Sequence, residues 1–136
     1  VAALLDTGFL LAVLAENDPQ HAECLTALGQ EPHVMLTDVV LPELAYLVLR
    51  NMDHHTLARF LRSVGAGQVD YLSSTPADLT RAADLLEEYA DNRVDFVDCV
   101  LVAIAERMNI TRMLTIDRRH FSILRPKHCD YFEILP

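Results

Sequence analysis

Short apolar runs of strand length alternate with longer segments of helical period along the whole chain, and this alternation decides the fold class. The runs are "AALLD" (2–6), "HVMLT" (33–37), "VDYLS" (69–73), "RMLTID" (112–117) and "YFEIL" (131–135). Between them lie "TGFLLAVLAEN", "DPQHAECLTALGQ", "DVVLPELAYLVLRNM", "DHHTLARFLRSVGAG", "TPADLTRAADLLEEYADN" and "RVDFVDCVLVAIAE", with "RRHFSILR" as a shorter turn or helix. Strands separated by helices pair side by side in one direction, giving an α/β domain with a mainly parallel sheet. The helix starts carry their own signals. Asp18 reads as an N-cap with Pro19 at the first helical position and Gly29 as the stop, Asp53 as a second cap, and Thr75 with Pro76 as a third. Pro42 falls near a first turn, where its missing N–H costs least.

The 136 residues are read as a single domain, 1–136, without repeats, low-complexity tracts or a Gly/Ser linker. Apolar runs such as "FLLAVLA" and "CVLVAIA" fall far short of the roughly 18–20 residues that cross a bilayer. The opening "VAALLDTGFLLAVL" lacks a basic leader and is interrupted by Asp6, against a signal peptide. Cys24, Cys99 and Cys129 are odd in number, scattered and without metal-ligand spacing, as expected of a cytoplasmic chain. A net charge of −9 argues against broad nucleic-acid binding through a basic surface. It does not argue against a nuclease, whose carboxylates would add to that count.

In parallel sheets, sites form beyond the carboxyl ends of the strands, so the acids placed there matter most. Asp6 ends the first strand and Asp117 the fourth, while Asp98 opens the apolar helix before it. Each has a simpler reading as a helix cap or a first-turn acid, and Asp95 reads first as the cap of the helix holding Asp98. Glu43 is different. Its neighbours one turn away are Val39, Val40, Tyr46 and Leu47, so it is expected to project from an apolar face and to need a compensating arginine or cation. If Asp6, Glu43, Asp98 and Asp117 converge, their repulsion favours protonation unless a cation holds them. An all-oxygen set with no His or Cys selects Mg2+ or Mn2+ rather than zinc, and such an ion suits phosphodiester hydrolysis. No Ser–His–Asp or Cys–His arrangement competes, so no covalent protein intermediate is expected.

"LLDTGFLLAVL", "TDVVLPEL", "DFVDCVLVAIAE" and "LTIDRRHF" resemble, in that order and over nearly the whole chain, the PIN domain. A short chain of this kind is similar to the VapC-type toxins of prokaryotic toxin–antitoxin pairs. The resemblance implies a three-layer α/β/α fold and a magnesium-dependent ribonuclease whose acids are Asp6, Glu43, Asp98 and Asp117. It also implies a homodimer silenced by a small antitoxin. Thr7, Asp95 and Thr115 are candidate supporting residues. Gly8 departs from the small hydroxyl residue that related sequences often carry there, leaving Thr7 as the hydroxyl near the metal. Arg118 and Arg119, with Arg125 and Lys127, form the best local basic patch and are candidate contacts to RNA phosphates, or a solvated face balancing the acids. His54, His55 and His120 read as surface residues, and Tyr46 and Tyr89 as core.

Two other classes stay open beside this reading. An inert PIN-type interaction module would keep the fold without the chemistry. An aspartate-based phosphatase or phosphoacceptor domain also places Asp at a strand end. However, "LLDTG" has Gly8 where a dehalogenase-like pattern needs a second Asp, and Lys127 is the only lysine a receiver-like site could use.

Overall fold

A computed structural model describes all 136 residues. The elements run β1 (Ala3–Leu5), α1 (Thr7–Leu14), α2 (His21–Gly29), β2 (Val34–Thr37), α3 (Val40–Asn51), α4 (His54–Gly65) and β3 (Asp70–Leu72). They continue with α5 (Pro76–Glu88), a 3-10 turn at Ala90–Asn92, α6 (Phe96–Met108), β4 (Arg112–Leu114), α7 (Arg118–Ile123) and β5 (Glu133–Leu135). The strands form one sheet in the order β3-β2-β1-β4-β5, parallel throughout. The mainly parallel sheet expected from the sequence is present.

The chain steps from β1 outward to β2 and β3, then returns past β1 to lay down β4 and β5. Right-handed crossovers on this path put α1–α4 on one face and α5–α7 on the other, which makes three α/β/α layers. Packing follows the same division: α1 rests on α2 and α3, α3 on α4, and α5 on α6. Helix α6 is buried without a break from Val97 to Ala105, because the sheet covers one side and α5 the other. No helix is long and apolar enough to cross a membrane.

Helix α5 is tied down at its start. Thr75 and Asp78 make a reciprocal capping box, and Arg107 of α6 donates to both oxygens of the Asp78 carboxylate at 3.0–3.1 Å. Burial pushes the Asp78 carboxyl up, but hydrogen bonds from Arg107 and Thr75 together outweigh it and hold the carboxyl below its ordinary range. Arg81 and Glu106 add a second bridge across the same seam at 2.8 Å. Asp78→Ala removes a cap and leaves Arg107 without its partner, so it is expected to cost about 2–3 kcal/mol in urea unfolding. Thr80→Ala, on the exposed side of the same helix, should stay within about 0.5 kcal/mol.

Two helix starts differ from the sequence reading. Asp18 does not cap α2: its Oδ1 accepts from the Gln20 N–H at 2.8 Å within a turn, and the helix begins later, at His21. Asp38 lies ahead of α3 and accepts from the N–H and hydroxyl of Ser74, at 3.0 Å each, bracing the loop after β3. Asp–Pro and strand–Asp junctions serve turns as readily as caps.

Candidate metal centre

Because every strand is parallel, all the carboxyl ends share one edge. At β1 the path reverses, with β2 on one side and β4 on the other; this is the switch point at which open parallel sheets form their crevice. Asp6 leaves β1 there. Its N–H donates to the Leu114 carbonyl at 3.0 Å, and its Oδ1 accepts from the Thr7 N–H at 2.8 Å. From the end of β4, the fully buried Thr115 hydroxyl donates to Asp6 Oδ2 at 2.7 Å and accepts from the Asp117 N–H at 2.9 Å. Thr115 therefore locks two acids of the crevice to each other.

Helix α6 delivers the next pair. Arg93 takes a left-handed backbone conformation (φ 54°) after the 3-10 turn, and Val94 is buried. Asp95 then caps α6, its Oδ1 accepting from the Asp98 N–H at 2.8 Å. Asp98, in the first turn, is only 2% exposed. The cap reading of Asp95 holds, and its carboxylate also raises the pKa of Asp98, so it lies beside the group it caps. Asp117 caps α7, accepting from the His120 N–H at 3.3 Å.

His120 is the residue that the sequence reading missed. It is not a surface side chain. Its Nδ1 lies 2.7 Å from Oδ2 of Asp98 and 3.0 Å from Oδ2 of Asp117, between two acids. The expectation of an all-oxygen constellation is corrected: one donor atom of Asp95, of Asp98 and of His120 all fall within 4.8 Å of one another. The readable signal was spacing. A residue three places after an N-cap returns over the cap, and in "DRRH" that residue is histidine.

Glu43 also departs from its expectation. The buried face of α3 is Val40, Leu44 and Val48, and Glu43 lies off it, exposed and without an ion-pair partner. No buried charge there calls for compensation. Glu43 does sit in the first turn of α3, directly after β2 and so on the crevice edge of the sheet. Tyr46 is 63% exposed, contrary to its reading as core. Tyr89 is half-buried, its hydroxyl accepting from the Arg125 N–H. His54 and His55 are exposed, as are Arg118, Arg119, Arg125 and Lys127. Arg118 donates to the Pro136 carbonyl, which leaves Arg119 the freer of that pair. Gly8 has a local reason: a Cβ there would meet Ile116 Cγ1 at 3.3 Å, so the Ile116 side chain occupies the space a larger residue would need.

The crevice holds more negative charge than it can neutralise. Burial raises the Asp6 carboxyl to about 6; the Thr115 and Thr7 hydrogen bonds resist the rise, and Asp95 and Asp117 add to it. Burial, followed by the charges of Asp95, Asp6 and Asp117, raises Asp98 to about 9. The Thr7 hydroxyl, 3% exposed, has no partner in the protein. Mutually repelling carboxylates, a ring nitrogen between two of them and a free buried hydroxyl alongside form a donor set that fits a divalent cation.

Comparison with known proteins gives the family. The family described as PIN domain matches residues 3–125. The chain is 31% identical over 136 residues to Ribonuclease VapC26 of Mycobacterium tuberculosis, spanning 98% of this chain and 99% of that one. Its backbone is similar to that of Mycobacterium tuberculosis VapC20, a Sarcin-Ricin loop cleaving toxin, with a TM-score of 0.85, 20% identity and both chains covered in full. It is also similar to VapBC2 from Rickettsia felis, crystallised on a DNA fragment from their promoter, with a TM-score of 0.73, 14% identity and both chains covered in full. At those identities the two solved structures speak for the fold alone, whereas the family match and the 31% relative speak for descent. The chain belongs to the PIN-domain family, in its VapC group.

Proposed function

We propose that this chain is a magnesium-dependent endoribonuclease, the toxin of a toxin–antitoxin pair, with Mn2+ able to substitute. The observation that carries the reading is the buried pair Asp6 and Asp98, set with Asp95 and Asp117 in the crevice where the sheet reverses. Asp6 and Asp98 would be the principal cation ligands. Asp117 and Glu43 would bind directly or through water, Glu43 reaching in from the first turn of α3. A bound Mg2+ supplies positive charge to the phosphate oxygens and lowers the pKa of water.

The chain's own residues do the rest. Thr115 holds Asp6 in one orientation, Asp95 fixes the start of α6, and His120 steadies the carboxylates of Asp98 and Asp117. Asp117, with a side chain 39% exposed, is the acid best placed to accept a proton from attacking water. Thr7 offers a hydroxyl beside Asp6. Arg119, and Arg118 less freely, would contact phosphates flanking the scissile bond.

The substrate is RNA, as the names of the relatives support. The restraining partner is a small antitoxin. An Arg from it suits the negative crevice, because a guanidinium binds carboxylates bidentately and would compete with the cation. Exposed Tyr46, Leu49 and Leu61 on α3 and α4 give a second copy an apolar surface to cover, and the chain is expected to act as a cytoplasmic homodimer.

The test has two arms. Purified protein should cleave total RNA with Mg2+ and stop on adding EDTA, and expression alone should arrest growth unless the neighbouring small gene is co-expressed. Folded protein that leaves RNA intact under Mg2+ would remove the nuclease and leave an interaction module. Cleavage in vitro with harmless expression would remove only the toxin.

A further inference from the structure

We propose that His120 is itself a ligand of the cation, so that this centre has a nitrogen donor and favours Mn2+ over Mg2+. The inference rests on the proposed cation site and concerns its chemistry. Neighbouring ligands of an octahedral ion with bonds of about 2.1 Å are about 3.0 Å apart. His120 Nδ1 stands at 2.7 Å from Asp98 Oδ2 and 3.0 Å from Asp117 Oδ2. The His120–Asp98 distance is the spacing of two neighbouring donors on one ion, so those two atoms need only small shifts to share it. Asp95 joins them: one donor atom each of Asp95, Asp98 and His120 lie within 4.8 Å of one another, so these three residues would hold the ion between them.

The ring is held for the task. Helix α7 begins at the cap Asp117, and His120 sits one turn in, so its imidazole folds back over the cap carboxylate. Its side chain is 19% exposed, shielded but not sealed from an incoming ion. Imidazole is a poor ligand for Mg2+, which prefers oxygen and water, and a good one for the first-row transition ions. One such donor among carboxylates shifts preference without changing the shape of the site. In the alternative arrangement the ring stays outside the shell and only hydrogen-bonds the ligating carboxylates.

Binding separates the two. The full chain is stripped with EDTA, loaded with Mn2+ and examined by pulsed electron paramagnetic resonance, which detects a nitrogen nucleus bound directly to the ion. The wild type is expected to show that nitrogen coupling. His120→Ala and the more conservative His120→Gln are expected to lose it while still binding Mn2+ and keeping a wild-type circular dichroism spectrum. In competition titrations the preference for Mn2+ over Mg2+ should fall by about tenfold in both variants. Mn2+ bound to the wild type without nitrogen coupling, or coupling that survives His120→Gln, would overturn the assignment and leave the nuclease reading standing. A wild type that binds neither ion would overturn both.

Discussion

Asp98→Asn is expected to lower magnesium-dependent RNA cleavage by about 100-fold or more, on the scale of losing a principal metal ligand. The same change should make the cation-free protein more stable. Asp98 is 2% exposed, and the charges of Asp95, Asp6 and Asp117 oppose its ionisation. Asparagine keeps the shape, and its Oδ1 can still accept from the ring nitrogen of His120. What disappears is the cost of holding a proton on an acid that the unfolded chain would have ionised. A gain of about 1–2 kcal/mol, seen as a rise of several degrees in Tm in EDTA, is the expected size of such a trade between function and stability. The two readouts must move in opposite directions. A variant that loses stability along with activity would mean that Asp98 is a structural acid, and its role in the centre would fall.

The second large effect concerns pH. In the unfolded chain Asp6 and Asp98 titrate near the ordinary value of about 3.9. In the folded chain burial and neighbouring acids raise them to about 6 and about 9. The folded state therefore holds protons that the unfolded state has released, and stability falls as pH rises between those values. In EDTA the contribution is complete below about pH 4 and is lost as pH climbs through 6 and on towards 9. A divalent ion held as proposed would bind the deprotonated crevice and reverse the trend. At a hundredfold excess over its Kd it adds about 2.7 kcal/mol. Thermal melts with EDTA and with Mg2+ should nearly coincide at about pH 5 and separate widely at about pH 8. Asp98→Asn should flatten the EDTA curve above about pH 6, which isolates this group from the other acids. Equal Mg2+ stabilisation at both pH values would contradict the scheme.

Much of the proposed centre was legible because its acids stand at helix starts, positions that sequence patterns mark. Asp6, Asp95 and Asp117 each cap a helix, and Asp98 sits in a first turn. Thr115 was legible from strand alternation, two residues before Asp117. His120 was not, because its role depends on a helix of only six residues folding the ring back over its own cap. Glu43 and Tyr46 were misread for one reason: α3 is apolar around much of its circumference, and the sequence does not say which stripe meets the sheet. The burial of Val40, Leu44 and Val48 settles it. Asp18 shows a different limit, where an Asp–Pro pair closed a turn and the helix began three residues later. The alternation of strands and helices survived all of this, since a slip of a few residues at an element's end does not change the order in which elements follow one another.

The hydrogen bond from Thr115 to Asp6 joins residues 109 positions apart, and β4, which brings Thr115 there, pairs directly with β1. The amino-terminal part of the chain can lay down β1, β2 and β3 side by side, but it leaves the far side of β1 bare until β4 has been made. A chain still being translated thus carries Asp6 with no counterpart. Synthesis would have to pass the end of β4 at Leu114 before the crevice could close. For the ribonuclease proposed above, this order of assembly would leave the centre incomplete while its own messenger is being read.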